Sequence, residues 1–190
     1  MKVGWDASHG EFLITDYYYY SKLKKYAESR GIKIDAVTKF SRLGNYDVIV
    51  FNYPEMRFKV SEIKMLRRWI RDGKKVVFAG YYNDFDDVNS NINRTLSKLG
   101  IEIKLNNDIV RDKPYYEDVN FPIAEYNGLK VVMPCSSSVE GEAILKTKNY
   151  CLAAKQSEVI VIGTCVFWDN YSIDLMDNKE FSLLLLSGEI

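Results

Sequence analysis

The chain holds one histidine, in the stretch Trp5-Asp-Ala-Ser-His-Gly-Glu-Phe12, WDASHGEF. An imidazole titrates near pH 6.5, so His9 has the right chemistry for a general base at neutral pH, with Asp6 or Glu11 to orient its ring. The same residues, joined by Asp84 or Asp169, would offer the mixed nitrogen and oxygen donors that suit zinc, manganese or iron. No fixed spacing ties those acids to His9, so the sequence assigns no metal ligands. The plainer role for Ser8 and His9 is to knit a turn through local hydrogen bonds. Cys135, in PCSSSVEG, is a candidate nucleophile with His9 as a distant partner, or a small buried hydrophobe beside a turn. Ser136 to Ser138 and Gly141 could offer hydroxyls and N–H groups to an anion. Neither phosphate-loop signature is present, and no cofactor is expected. The acidic NDFDD at 83–87 lacks the glycine and distal glutamate of a calcium loop, and reads as a capped helix start.

These residues need elements to hold them. KVGWD at 2–6 reads as a first strand. Thr15 or Asp16 caps a helix through DYYYYSKLKKYAESRG, which Gly31 stops. Four consecutive tyrosines, Tyr17 to Tyr20, wrap round the start of that helix, so some bury their rings and at least one faces outward. IKIDAV alternates as a strand, and the continuous apolar run YDVIVFNY at 46–53 is that of a strand covered on both faces. Ser61 caps the helix of SEIKMLRRWIRDG, KKVVFAG is the next central strand, DVNSNINRTLSKLG the next helix and IEIKL a strand beyond it. From about 106 to 128 the texture, with Pro114, Pro122 and mixed charge, is that of an excursion over the surface. Short strands return in LKVVMP, AILKTK and CLAAK. VIVIGTCVF re-enters the main sheet, and a last helix follows Asp177-Asn178. This order predicts one parallel three-layer α/β domain spanning 1–190.

In open α/β sheets, ligands bind beyond the carboxyl ends of the strands. The residues just past each strand supply the expected ligand-binding set: Asp6, Ser8, His9, Glu11, Asn52, Tyr81, Asn83, Asp169 and Asn178. Together they predict a polar crevice with aromatic walls, suited to a small polar ligand.

Composition narrows the partners. Lys plus Arg total 26 and Asp plus Glu total 26, so net charge favours neither nucleic acid nor an anionic membrane. Three cysteines without short spacing argue against a disulfide framework and suit a reducing cytoplasm. MKVGWDASHG lacks the apolar core of a signal peptide, and no apolar run approaches the roughly 20 residues that span a bilayer.

Four blocks carry a wider likeness: D-x-SHGE, YDVIVFNYPEMRFKVSEIKMLRRWIRDGKKVVFAG, YYNDFDDVNSNINRTLSKLGIEI, and VIVIGTCVFWDN with DNKEF. Together they resemble the class I glutamine amidotransferase-like superfamily. The branch they resemble is uncharacterised and mostly archaeal, and is similar to the GIFT domain of intraflagellar transport proteins. The resemblance implies a flavodoxin-like, three-layer α/β/α sandwich with a mostly parallel central sheet. Enzymes of that superfamily carry a cysteine nucleophile on the turn after a central strand, and a later His-Glu pair. Here the matching turn is Gly80-Tyr81-Tyr82, and no histidine follows residue 9. Glutamine hydrolysis is therefore not expected, since a tyrosine of pKa near 10 is a poor substitute for a thiolate. The leading expectation is a non-catalytic domain that binds a small polar ligand or a protein partner, a second copy of itself included. The alternative is a hydrolase using the His/carboxylate crevice, with or without a divalent metal.

Overall fold

The computed structural model describes residues 1–10 and 12–190; Glu11 lies outside the described residues. The first strand, β1 (Lys2–Asp6), is followed by α1 (Tyr17–Ser29), β2 (Lys33–Val37), β3 (Val48–Asn52), α2 (Val60–Arg71), β4 (Lys75–Ala79) and α3 (Val88–Leu99). Those elements fall where apolar period and caps put them. Asp16 caps α1, its carboxylate accepting from the Tyr18 N–H, and Gly100 ends α3 in the left-handed conformation that glycine tolerates. Helix α2 begins at Val60 with Lys59 as its cap, two residues earlier than a cap at Ser61 predicts. Its start is fixed by Glu62, whose carboxylate turns back to accept the Lys59 N–H at 2.6 Å.

Strands β2, β1, β3 and β4 lie side by side in that order, all parallel. The expected return of VIVI to the sheet is found: β12 (Val159–Ile162) pairs parallel with β4, Val159 opposite Val76. Side chains alternate along a strand, so consecutive residues of β3 face opposite layers. Asn52 meets Tyr20 of α1, while Phe51 packs against Phe40 and Phe58 beside α2. Helices α1 and α4 (Asn178–Ser187) pack together over the first face, and α2 and α3 together over the second.

Beyond β12 the sheet changes direction, and two expectations need correction. The sheet is mixed rather than mostly parallel, with four parallel and five antiparallel ladders among the described residues. β11 (Cys151–Gln156) runs antiparallel to β12, and β10 (Ala143–Lys146), β7 (Asp118–Tyr126) and β6 (Pro114–Tyr115) extend it, with β8 (Leu129–Val132) as the hairpin partner of β7. The supposed surface excursion thus contains the nine-residue strand β7. Pro122 masked it, although only a pairing N–H is lost there and the strand continues through it. IEIKL contributes only β5 (Lys104–Leu105), which pairs with β9 (Val139–Glu140) in a separate small sheet. No helix among the described residues is long and apolar enough to cross a membrane.

Candidate functional site at the carboxyl rim of the parallel strands

Because β1, β3, β4 and β12 are parallel, Asp6, Asn52, Gly80 and the segment after Ile162 all leave the sheet at one edge. The predicted residues that are described divide among three clusters and the exposed turn at Asn83, and one of them, Asn178, lies away from that rim.

The first cluster lies on the α2 side. His9 is 4% exposed, its ring stacked on Phe58 with centroids 4.2 Å apart. Nδ1 lies 2.8 Å from an Asp6 carboxylate oxygen, and Nε2 lies 3.3 Å from the Glu62 oxygen that also accepts from Lys59. The second Asp6 oxygen accepts from the Ser8 N–H at 3.1 Å and the Ser8 hydroxyl at 2.6 Å. A carboxylate only accepts, so both ring nitrogens must carry hydrogen, and the species that fits is the imidazolium. Burial works against that charge, but the Asp6 hydrogen bond and the charges of Asp6 and Glu62 outweigh it and raise the pKa of His9 above its usual value. A cation held at both nitrogens has no free lone pair for a proton or a metal. Around it the backbones touch: the Met56 N–H donates to the His9 carbonyl, and a Cβ on Gly10 would stand 2.4 Å from the Tyr53 carbonyl oxygen. Only glycine fits there.

The second cluster is on the α1 side. The Asn52 amide donates to the Tyr20 hydroxyl at 2.8 Å, and its oxygen accepts from the Trp168 indole at 3.1 Å. Trp5 packs on both rings, 5.3 Å from Tyr20 and 5.2 Å from Trp168. Asp169 closes the next turn, accepting from the Tyr171 and Ser172 N–H groups, and burial raises its pKa. Asn178 is fully buried. It accepts from the Val132 N–H and donates to the carbonyls of Val132, Phe167 and Ser172, fastening α4 to β8 away from the rim.

The third cluster surrounds the turn Gly80-Tyr81-Tyr82 after β4. Asn89 bonds both the N–H and the carbonyl of Tyr81, and the Ser137 hydroxyl donates to that carbonyl. Cys135 is half-buried, and burial pushes its thiol up, away from the thiolate a nucleophile needs. Burial likewise raises Tyr81 and, well above its ordinary range, the fully buried Cys165. No group of three or more His, Cys, Asp or Glu side chains placed to hold a metal occurs among the described residues.

What the rim presents outward is aromatic. Along it Tyr19, Phe12, Tyr53, Tyr81, Tyr82 and Phe85 follow one another with centroids 4.6–6.1 Å apart, most of them edge to face; Tyr19 and Phe85 are exposed, Phe12, Tyr81 and Tyr82 half-buried, and Tyr53 buried. At one end Tyr17 and Tyr18 are each 78% exposed, and Tyr171 is 74% exposed. Asn170 binds them into one patch, its amide donating to the carbonyls of Tyr17 and Tyr18 and its N–H to that of Tyr19. At the other end Asn83, Asp84, Asp86 and Asp87 are left-handed. That conformation costs of order 1 kcal/mol at each residue. Asn83 is exposed, and its N–H is anchored on the Asp108 carbonyl.

Glu62 and Asn89 were not among the sequence candidates. Each acts across the fold, and only Glu62 carried a local signal, an acid in the first turn of a helix.

The fold and this rim define an α/β domain of the shape shared by known structures. Over 99% of both chains it superposes on the mmIFT52 N-terminal domain with a TM-score of 0.81 at 18% identity. It superposes on a glutamine amidotransferase with a TM-score of 0.53 at 12% identity, over 98% of each chain. The exo-β-1,4-mannosidase Op5Man5 from Opitutaceae bacterium strain TAV5 matches with a TM-score of 0.56 at 11% identity, over 95% of this chain and 34% of that one. Identities this low carry fold and not activity. No protein-family model matches the chain. An uncharacterised protein of Aquifex aeolicus (strain VF5) is 42% identical over 221 residues, covering 98% of this chain and 93% of the relative, and the chain belongs to the same family. That relative is bacterial, whereas the sequence blocks resemble a mostly archaeal branch.

Proposed function

We propose that the chain is a single non-catalytic domain that binds a protein partner through the aromatic rim of its parallel strands. The observation that carries this reading is the pairing of an exposed tyrosine patch with an inert interior. Tyr17, Tyr18 and Tyr171 stand outward as one patch, while His9 is held at both nitrogens and the thiols are pushed up by burial. Tyrosine-rich surfaces are favoured at protein interfaces. The likeness to the mmIFT52 N-terminal domain supports a flavodoxin-like core, as does the parallel strand order β2-β1-β3-β4-β12. In this reading Tyr81 and Asn83 belong to the contact face, and Asp6, Ser8, His9, Asn52, Asp169 and Asn178 are the frame that holds it. Three free cysteines accord with a reducing cytoplasm.

The test is site-specific photocrosslinking in cells that natively express the chain. A benzophenone side chain at Tyr18 should trap one protein in good yield, and the same group at the exposed Tyr150 should not. Equal, diffuse labelling from both positions would reject the rim as a binding face. Turnover of glutamine that depends on Cys135 or His9 would reject the non-catalytic reading.

A further inference from the structure

At the amino ends of the parallel strands, opposite the rim, a cleft of about 510 Å³ opens between the turn after α1, the start of β8 and helix α4. Small-molecule sites run to about 300–1,000 Å³, with apolar walls and a few placed polar groups. The walls here are Ile32, just ahead of β2, Leu129, and Leu183 and Leu184 of α4. Three charged residues line the same space: Arg30 from the turn after α1, Glu180 from the first turn of α4, and Glu189 from just past its end. Glu180, Leu183, Leu184 and Ser187 are spaced to share one helix face, so the two leucines lie between an acid at either end.

The charges of the cleft are not spent on one another. Arg30 and Glu189 have no ion-pair partner among the described residues, and Glu180 pairs only with the adjoining Lys179, at 3.5 Å. A cation and two anions thus face one space without closing across it. The backbone strengthens the negative side. The carboxyl ends of α1 and α4 both border the cleft, and neither helix has a basic residue in its last turn. Helix carboxyl ends favour a cation. The Ser187 hydroxyl donates to the Leu184 carbonyl, which leaves its oxygen to accept.

A guanidinium fork fits a carboxylate, acids and helix carboxyl ends fit an ammonium, and leucines fit a hydrocarbon side chain. We infer that this cleft binds a free apolar α-amino acid of the leucine type. Its carboxylate lies on Arg30, its ammonium on Glu180 or Glu189, and its side chain over Leu183 and Leu184. Such a site is separate from the aromatic rim, so either can fail without the other.

The test uses the whole chain labelled with nitrogen-15 and four probes. Leucine is compared with isocaproate, which lacks its amino group, isoamylamine, which lacks its carboxylate, and serine, which lacks its hydrocarbon side chain. Leucine should shift the amides of 30–32 and 183–189 saturably and leave those of 17–19 unmoved. Each of the other three should bind about fivefold more weakly, or worse. Arg30→Gln should weaken leucine by a similar factor, as should Glu180→Gln combined with Glu189→Gln, with signals elsewhere unchanged as the check on folding. No saturable shift with leucine would overturn the inference. Equal binding of leucine and isocaproate, or leucine binding that survives both sets of substitutions, would also overturn it by reducing the site to an apolar cleft. Serine binding as tightly as leucine would overturn it too, by leaving charge alone.

Discussion

Replacing His9 with alanine tests the frame at its most charged point. The side chains of Asp6 and Glu62 are 2% and 10% exposed, so removing the imidazolium leaves two carboxylates in a nearly dry site. Asp6 keeps only the neutral donors of Ser8, and Glu62 keeps the Lys59 N–H with the largely exposed Lys59 ammonium 4.0 Å away. Breaking a buried ion pair on one side costs about 3–5 kcal/mol. At about 2–4 °C per kcal/mol for a domain of this size, His9→Ala should lower the melting temperature by about 10 °C. The pH dependence has a definite sign. The folded pKa of His9 is raised, so its contribution is complete below the unfolded value of about 6.5 and is lost as pH rises through the folded value. Urea titrations of wild type and variant from pH 5.5 to 9 should therefore converge at the alkaline end. A difference that stays constant across that range, or stays below about 1 kcal/mol at pH 6, would refute the buried imidazolium.

Three further outcomes are expected. Gly10→Ala should destabilise by about 1–3 kcal/mol, because the new methyl meets the Tyr53 carbonyl and must push two backbones apart; denaturant melts measure it. Asn178→Ala should cost more, at least about 3 kcal/mol, since it strands the Val132 N–H and several buried carbonyls, and hydrogen exchange should rise first in β8 and α4. Cys165 should resist alkylation at pH 7.5 in the folded protein and react only on unfolding, with Cys135 reacting slowly before it, as timed mass spectrometry would read.

The parallel half was legible because its signals are local. β1 occupies the residues that KVGWD marks, and α1 takes its cap from Asp16 and buries one tyrosine of four, Tyr20, while Tyr17 and Tyr18 face outward. The antiparallel half was less so. β8, β10 and β11 fall where LKVVMP, AILKTK and CLAAK mark strands, but β6 has two residues, β7 contains a proline, and the pairing of all of them is set by tertiary contacts. The site shows the same division. That Asp6, Asn52 and Tyr81 leave the sheet at one edge follows from strand ends. That Glu62 comes to His9, Trp168 to Asn52 and Asn89 to Tyr81 depends on tertiary packing, which no local pattern encodes.

The seam where β12 joins β4 has a consequence for how the chain reaches this state. Val76 waits for Val159, so β4 is completed only after the whole antiparallel segment has been synthesised and brought back. Until then β4 is an open edge of buried valine and phenylalanine, the kind of surface that pairs with another chain. Closing so long a loop should make folding slow, and aggregation should compete hardest before β12 arrives. Chains truncated ahead of Val159 should accumulate as insoluble material, whereas lesions at the β6 tip, farthest from that seam, should be tolerated.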